Sequence, residues 1–104
     1  MKMLKDLDKY RLDDIQKNAL MKVFQNIEGE IYLFGSRTDL DKRGGDVDIL
    51  ILSDIEEPLK LKWELQTQYL MEADESIDIV IFNRNKLTNS QQAFFESINK
   101  VRIN

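Results

Sequence analysis

The sequence predicts an α/β or α+β sandwich in which helices pack against a small sheet. Three observations carry that expectation. Short apolar runs at residues 31–34, 47–52 and 77–82 are rich in β-branched and aromatic side chains, as buried strands are. Three longer segments place their apolar residues at helical spacing. The two kinds alternate as α-β-β-α-β-α, with no repeat, low-complexity tract or linker between them.

Residues 12–27 read as an amphipathic helix, because Leu12, Ile15, Leu20, Val23, Phe24 and Ile27 gather on one face. Gly29 is its stop signal. The first strand, 31–34, ends at Gly35, and a polar stretch follows over 36–45. The second strand covers 47–52. Ser53, Asp54 and Pro58 mark the next helix start, with Leu59, Leu61, Trp63, Leu65, Tyr69 and Leu70 as its apolar positions. The third strand covers 77–82. A last helix over about 88–98 has Ala93, Phe94, Phe95 and Ile98 on its apolar side. Aromatics such as Trp63, Tyr69, Phe94 and Phe95 are assigned to core or partner contact.

The length of 104 residues suits one domain over 1–104, with one modest core and little room for a lobe to hold a large acceptor. The chain has no cysteine and no histidine, which excludes disulfides, thiolate zinc sites, cysteine nucleophiles and histidine-based triads. Catalysis would rest on carboxylates, hydroxyls, Lys, Arg and bound metal. A formal net charge of -4 argues against strong direct nucleic-acid binding. The N-terminus has no apolar signal region, and no apolar run is long enough to span a bilayer, so no membrane association and a cytoplasmic location are expected.

Two predicted strands carry an aspartate inside an apolar run. Asp48 sits among Val47, Ile49 and Leu50, and Asp78 among Ile77, Ile79 and Val80. Aspartate is depleted in strands and costly to bury unpaired, so something must compensate both. A divalent cation is the natural candidate. Asp46 and Asp48 are two apart, and alternate strand residues share a face, so they would offer adjacent carboxylates to Mg²⁺. Asp78, on a neighbouring strand, would complete a set for one or two ions. The plainer alternative is strand-end capping, or pairing with Lys or Arg. Upstream, Gly35 permits a tight turn, and Ser36 offers a hydroxyl and an N–H to phosphate. Arg37 offers a planar fork for a phosphate tail.

Gly35-Ser36, nine intervening residues, Asp46-Val47-Asp48 and then Asp78 in a third strand resemble the signature of the polymerase-beta-type nucleotidyltransferase superfamily. The chain is most similar to its minimal branch, the MNT proteins, over roughly residues 12–100. The resemblance implies the polymerase-beta-like fold, a small mixed sheet flanked by helices. It implies that Gly35, Ser36 and Arg37 bind nucleotide, and that Asp46, Asp48 and Asp78 are the catalytic, Mg²⁺-binding carboxylates of a two-metal site using ATP as donor. It differs from many relatives at Thr38-Asp39 and at Gly45, where a small residue with Gly, and a Ser, are usual. Lys42 and Arg43 lie in that individual loop, within reach of phosphate or a partner, although a solvated loop is the simpler reading.

MNT proteins commonly pair with HEPN-domain toxins, small helical RNases, in hetero-oligomers. The resemblance implies an antitoxin that transfers AMP to a tyrosine hydroxyl of such a toxin. Two alternatives stand beside it. One is a binding module that neutralises its partner by contact with little catalysis. The other is a nucleotidyltransferase for a small-molecule hydroxyl or for RNA ends, although such members usually carry extra domains.

Overall fold

The first helix starts where the sequence supplies a cap. In this computed structural model, which describes residues 4–42 and 44–104, α1 runs over Asp14–Phe24. The Asp13 carboxylate accepts from the Gln16 N–H at 2.7 Å, and the Gln16 side chain accepts from the Asp13 N–H at 2.9 Å. This reciprocal box satisfies two N–H groups that a helix start otherwise leaves unpaired. The helix is shorter than 12–27, and its face is rotated from the expected one. Ile15 is exposed, while Gln16, Ala19, Leu20, Val23 and Phe24 are buried. Met1, Lys2, Met3 and Arg43, with the phosphate reach considered for Arg43, lie outside the described residues.

The strands follow as β1 (Glu30–Phe34), β2 (Asp48–Ser53), β3 (Asp78–Asn83) and β4 (Lys100–Arg102). A 3-10 turn, Gly35–Thr38, leaves β1. Helix α2 (Pro58–Ala73) joins β2 to β3, beginning at a proline whose fixed φ suits the first turn. Helix α3 (Asn89–Ser97) starts in a second box formed by Thr88 and Gln91. The sheet order is β3-β2-β1-β4. Strand β1 is antiparallel to β2 and β4, and β2 is parallel to β3, so the sheet is mixed. The parallel pair needs a crossover, and α2 supplies it.

Period-two alternation then sorts the side chains. Ile31, Leu33, Ile49, Ile51 and Ile79 face α1 and α2, where they pack with Leu20, Phe24, Leu65 and Tyr69 into the core. A polar chain ties the two helices across its edge. The Gln16 amide donates to both oxygens of Glu75, at 3.2 and 3.1 Å, and the Tyr69 hydroxyl donates to Glu75 at 3.2 Å. The opposite face carries Tyr32, Phe34, Asp48, Leu50 and Phe82, and α3 lies across it on edge-to-face aromatic contacts. Ring centroids are 5.2 Å apart for Tyr32–Phe95 and 6.0 Å for both Phe34–Phe94 and Phe82–Phe94. Among the described residues no helix is long and apolar enough to cross a membrane.

Candidate nucleotide and metal site

One end of the sheet collects the C-terminal end of β1 and the N-terminal ends of β2 and β3. Asp48 opens β2, Asp78 opens β3, and the parallel register sets them opposite one another. Phe34, the last residue of β1, pairs with Asp48 on its other side, so the Gly35-Ser36 turn leaves the sheet at the same end.

The burial expected for the two aspartates is corrected here. Asp78 is exposed and Asp48 is half-buried. Their apolar neighbours Val47, Ile49, Ile77 and Ile79 are buried on the opposite side, in the core. An apolar run around a strand-initial residue describes the far face of the sheet, not the surroundings of that residue.

The electrostatics of the pair are distinctive nonetheless. The Asp48 carboxyl is pushed up to about 6, first by desolvation, then by a hydrogen bond with Asp78 and repulsion from Asp78 and Asp46. Among the described residues none of Asp46, Asp48 and Asp78 is ion-paired with Lys or Arg. Among the described residues, then, no basic side chain accounts for them. Asp46 is exposed on the loop just before β2. The structure thus brings Asp48 and Asp78 together and leaves Asp46 adjoining them. No three acidic side chains among the described residues are gathered closely enough to hold an ion as they stand. By kind, the donors fit a hard divalent cation: two carboxylates in contact, a third on the adjoining loop, and oxygen atoms only.

Two glycines make the room. Gly35 has φ +78°, and a Cβ there would lie 2.5 Å from Oδ2 of Asp48. Gly45 has φ +83°, and a Cβ there would run into the Ser36 hydroxyl. The turn bearing Ser36 and the loop leading to Asp46 therefore touch, with glycine on one side of each approach.

Arg37 is held differently from the free phosphate fork the sequence suggested. Its Nε donates to the Gly45 carbonyl at 3.1 Å and its Nη1 to the Arg11 carbonyl at 2.8 Å. Arg11, a residue sequence reasoning missed, grips the other side of the loop. Its guanidinium donates to the carbonyls of Ser36 at 3.2 Å, Asp39 at 3.1 Å and Gly44 at 2.7 Å. The Arg11 N–H donates in turn to the Arg37 carbonyl at 3.1 Å. The two arginines interlock and fix the distance between Ser36 and Asp46. No local pattern announces Arg11; its only sequence signal is a cation two residues ahead of the α1 cap, and its partners lie 25–33 positions away.

A Gly-Ser turn set against paired carboxylates at one end of a mixed sheet defines a nucleotidyltransferase-type domain. The comparisons with known proteins agree. The family described as polymerase beta, nucleotidyltransferase, matches residues 15–99, and the chain belongs to it. Among solved structures, the chain is similar to the crystal structure of a mutant of the toxin–antitoxin MntA-HpeT. The identity is 26% and the TM-score 0.56, over 82% of this chain and 70% of that one. No curated protein matches it. The four-stranded mixed sheet with three helices is the polymerase-beta-like fold, and the minimal MNT branch is the one these likenesses support.

Proposed function

We propose that this chain is a Mg²⁺-dependent nucleotidyltransferase that transfers AMP from ATP to a tyrosine hydroxyl of a HEPN-type toxin, and so acts as its antitoxin. The observation that carries the reading is the Asp48–Asp78 pair in register, with Asp46 on the adjoining loop and the Ser36 turn locked beside it. The likeness to MntA-HpeT supports the antitoxin role and a hetero-oligomer with the toxin. In this reading Ser36 and the turn at Gly35 hold the β- and γ-phosphates. Asp46, Asp48 and Asp78 would hold Mg²⁺, which, when bound, offsets the charge that develops on the phosphate oxygens. The acceptor hydroxyl oxygen forms the new bond to the α-phosphorus. The bond from that phosphorus to the bridging oxygen breaks, and pyrophosphate leaves. Asp78, the exposed member of the pair, accepts the hydroxyl proton.

The test is transfer of label from α-labelled ATP to a HEPN-fold toxin. Transfer should require Mg²⁺ and vanish in an Asp46→Asn/Asp48→Asn double variant that still folds. Persistent transfer in that variant would refute the reading. Neutralisation by contact is the second reading, favoured by the absence of three gathered carboxylates among the described residues. It predicts that the same double variant still suppresses toxicity.

A further inference from the structure

Gln16 is 3% exposed, on the buried side of α1 with Ala19, Leu20 and Val23. A buried primary amide costs free energy unless its oxygen and its nitrogen both find partners. The capping box uses only the oxygen. A Glu in that place would cap as well, so the box does not explain an amide there. Glu75 does, because the Gln16 amide nitrogen donates to both of its oxygens. Glu75 is half-buried, and among the described residues no Lys or Arg is ion-paired with it. Both ends of this contact lead toward the candidate site. On one side, Nη1 of Arg37 donates to the Arg11 carbonyl at 2.8 Å and reaches the Gln16 oxygen at 3.5 Å, while the Arg11 N–H returns to the Arg37 carbonyl at 3.1 Å. The turn that carries Ser36 is thereby fastened to the segment that opens α1. On the other side, Glu75 stands three residues before Asp78, at most about 10 Å of chain. Tyr69 reflects the same proximity. Burial and then Glu75 push its phenol pKa up, and the Arg37 guanidinium pulls it back.

We infer that Gln16 and Glu75 are positioning residues, a buckle that holds the Ser36 turn and the first residue of β3 at one separation. The inference rests on the transferase reading above and names what aligns its two halves. In that reading the donor phosphates lie on the Ser36 turn and the acceptor proton goes to Asp78, so each must be placed against the other. The sheet does not do this alone. Its ladder ends at Phe34 on β1 and at Asp78 on β3, so neither the turn after one nor the connection before the other is held by it. The buckle ties exactly these two segments, through α1. Neither of its side chains touches a substrate: Gln16 is enclosed, and Glu75 accepts from Gln16 and from the Tyr69 hydroxyl.

Three variants test the buckle. Glu75→Met removes the carboxylate at nearly constant length and leaves the capping box intact. The swap Gln16→Glu/Glu75→Gln sets an amide opposite a carboxylate again and keeps acceptors for the cap and for Arg37. Val23→Ala opens a cavity about two turns further along α1 and stands for a purely structural loss. Amide hydrogen exchange on the chain alone reads the buckle without activity. The Asp39 N–H, bonded to the Ser36 carbonyl at 3.1 Å, reports the turn, and the Asp78 N–H, bonded to the Val47 carbonyl at 3.0 Å, reports the start of β3. Both should exchange about 10-fold faster in Glu75→Met, recover in the swap, and keep their wild-type rates in Val23→Ala. In the transfer assay, Glu75→Met should lower kcat about 100-fold with the KM for ATP within about twofold, and the swap should recover most of it. Val23→Ala, assayed below its melting range, should keep kcat within about twofold. Faster exchange at Asp78 alone overturns the proposal, as do equal kcat losses in Glu75→Met and Val23→Ala. So does a folded swap that restores neither exchange nor kcat. If the wild-type chain labels no toxin, the transferase reading fails by itself, and the exchange rates still decide whether the two segments are coupled.

Discussion

Alanine at Gly35, with alanine at Gly44 as its matched control, separates backbone strain from loss of the carboxylate's position. Both glycines have positive φ, +78° and +67°. An L-residue in that region costs about 1–2 kcal/mol. For a domain of this size that is a fall in Tm of about 5–15 °C, and it should be similar in both variants. The surroundings differ. Among the described residues nothing lies within 4 Å of a Cβ at Gly44, whereas a Cβ at Gly35 meets Oδ2 of Asp48 at 2.5 Å. Carbon and oxygen rest comfortably about 1 Å further apart. The carboxylate is the free end of a short side chain, so it can swing away at little energetic cost. Stability is therefore nearly blind to the contact, but chemistry is not. A displacement of about 1 Å at a reacting centre costs about 100-fold in rate. Urea denaturation should give the two variants equal losses within about 0.5 kcal/mol. Transfer of label from α-labelled ATP should be near wild-type in Gly44→Ala and about 100-fold slower in Gly35→Ala. Equal rates would show that Asp48 does not need the place Gly35 leaves for it.

Further outcomes follow from the loop and the carboxylates. Arg11→Ala removes three charge-assisted bonds, of which the one to Gly44 is exposed and replaceable by water. The two part-buried bonds are worth about 2–3 kcal/mol together, to be read as a lower urea midpoint at unchanged slope. Arg11→Lys should recover less than half of that loss, since an ammonium cannot span three carbonyls. The metal-free domain should lose stability as pH rises. Asp48 titrates near 6 in the folded chain against an ordinary 3.8, so its contribution is complete below the lower value and is lost through the upper one. Thermal melts should show the decline between these values in the wild type and not in Asp48→Asn. Added Mg²⁺ should reverse it by binding the ionised form, and a flat wild-type profile would contradict the pairing of Asp48 with Asp78.

The strands and helices that hold the core were legible because each advertises a period. The runs 31–34, 47–52 and 77–82 are three of the four strands, and Asp13 and Thr88 cap the helices where polar residues precede apolar periodicity. Strand β4 was not legible. It has three residues, two of them cationic, and it forms because β1 offers an open edge and Ile103 a buried anchor. Gln16 was invisible as a buried residue because its burial depends on Glu75, 59 positions away. The acidic positions of the site were readable from composition against an apolar background, but their exposure was not. A strand-initial residue shares sequence neighbours with the core while facing away from it. The loop contacts of Arg37 were hidden for a related reason. Residue type gives the donors of a guanidinium, and only the folded loop says that carbonyls take its Nε and Nη1.

The pairing of Asp48 with Asp78 has a consequence for how such a domain tolerates change. The two carboxylates belong to different strands, and only the parallel register between β2 and β3 makes them neighbours. Side-chain parity flips with each single step of register. A one-residue insertion or deletion in the short connection from Asp74 to Ile77 would thus drive Asp78 to the core face if pairing followed the chain, or leave it facing out but one rung away if packing held. A length change in that connection would separate the two carboxylates with both aspartates intact. Length variation is accordingly expected to be forbidden between α2 and β3.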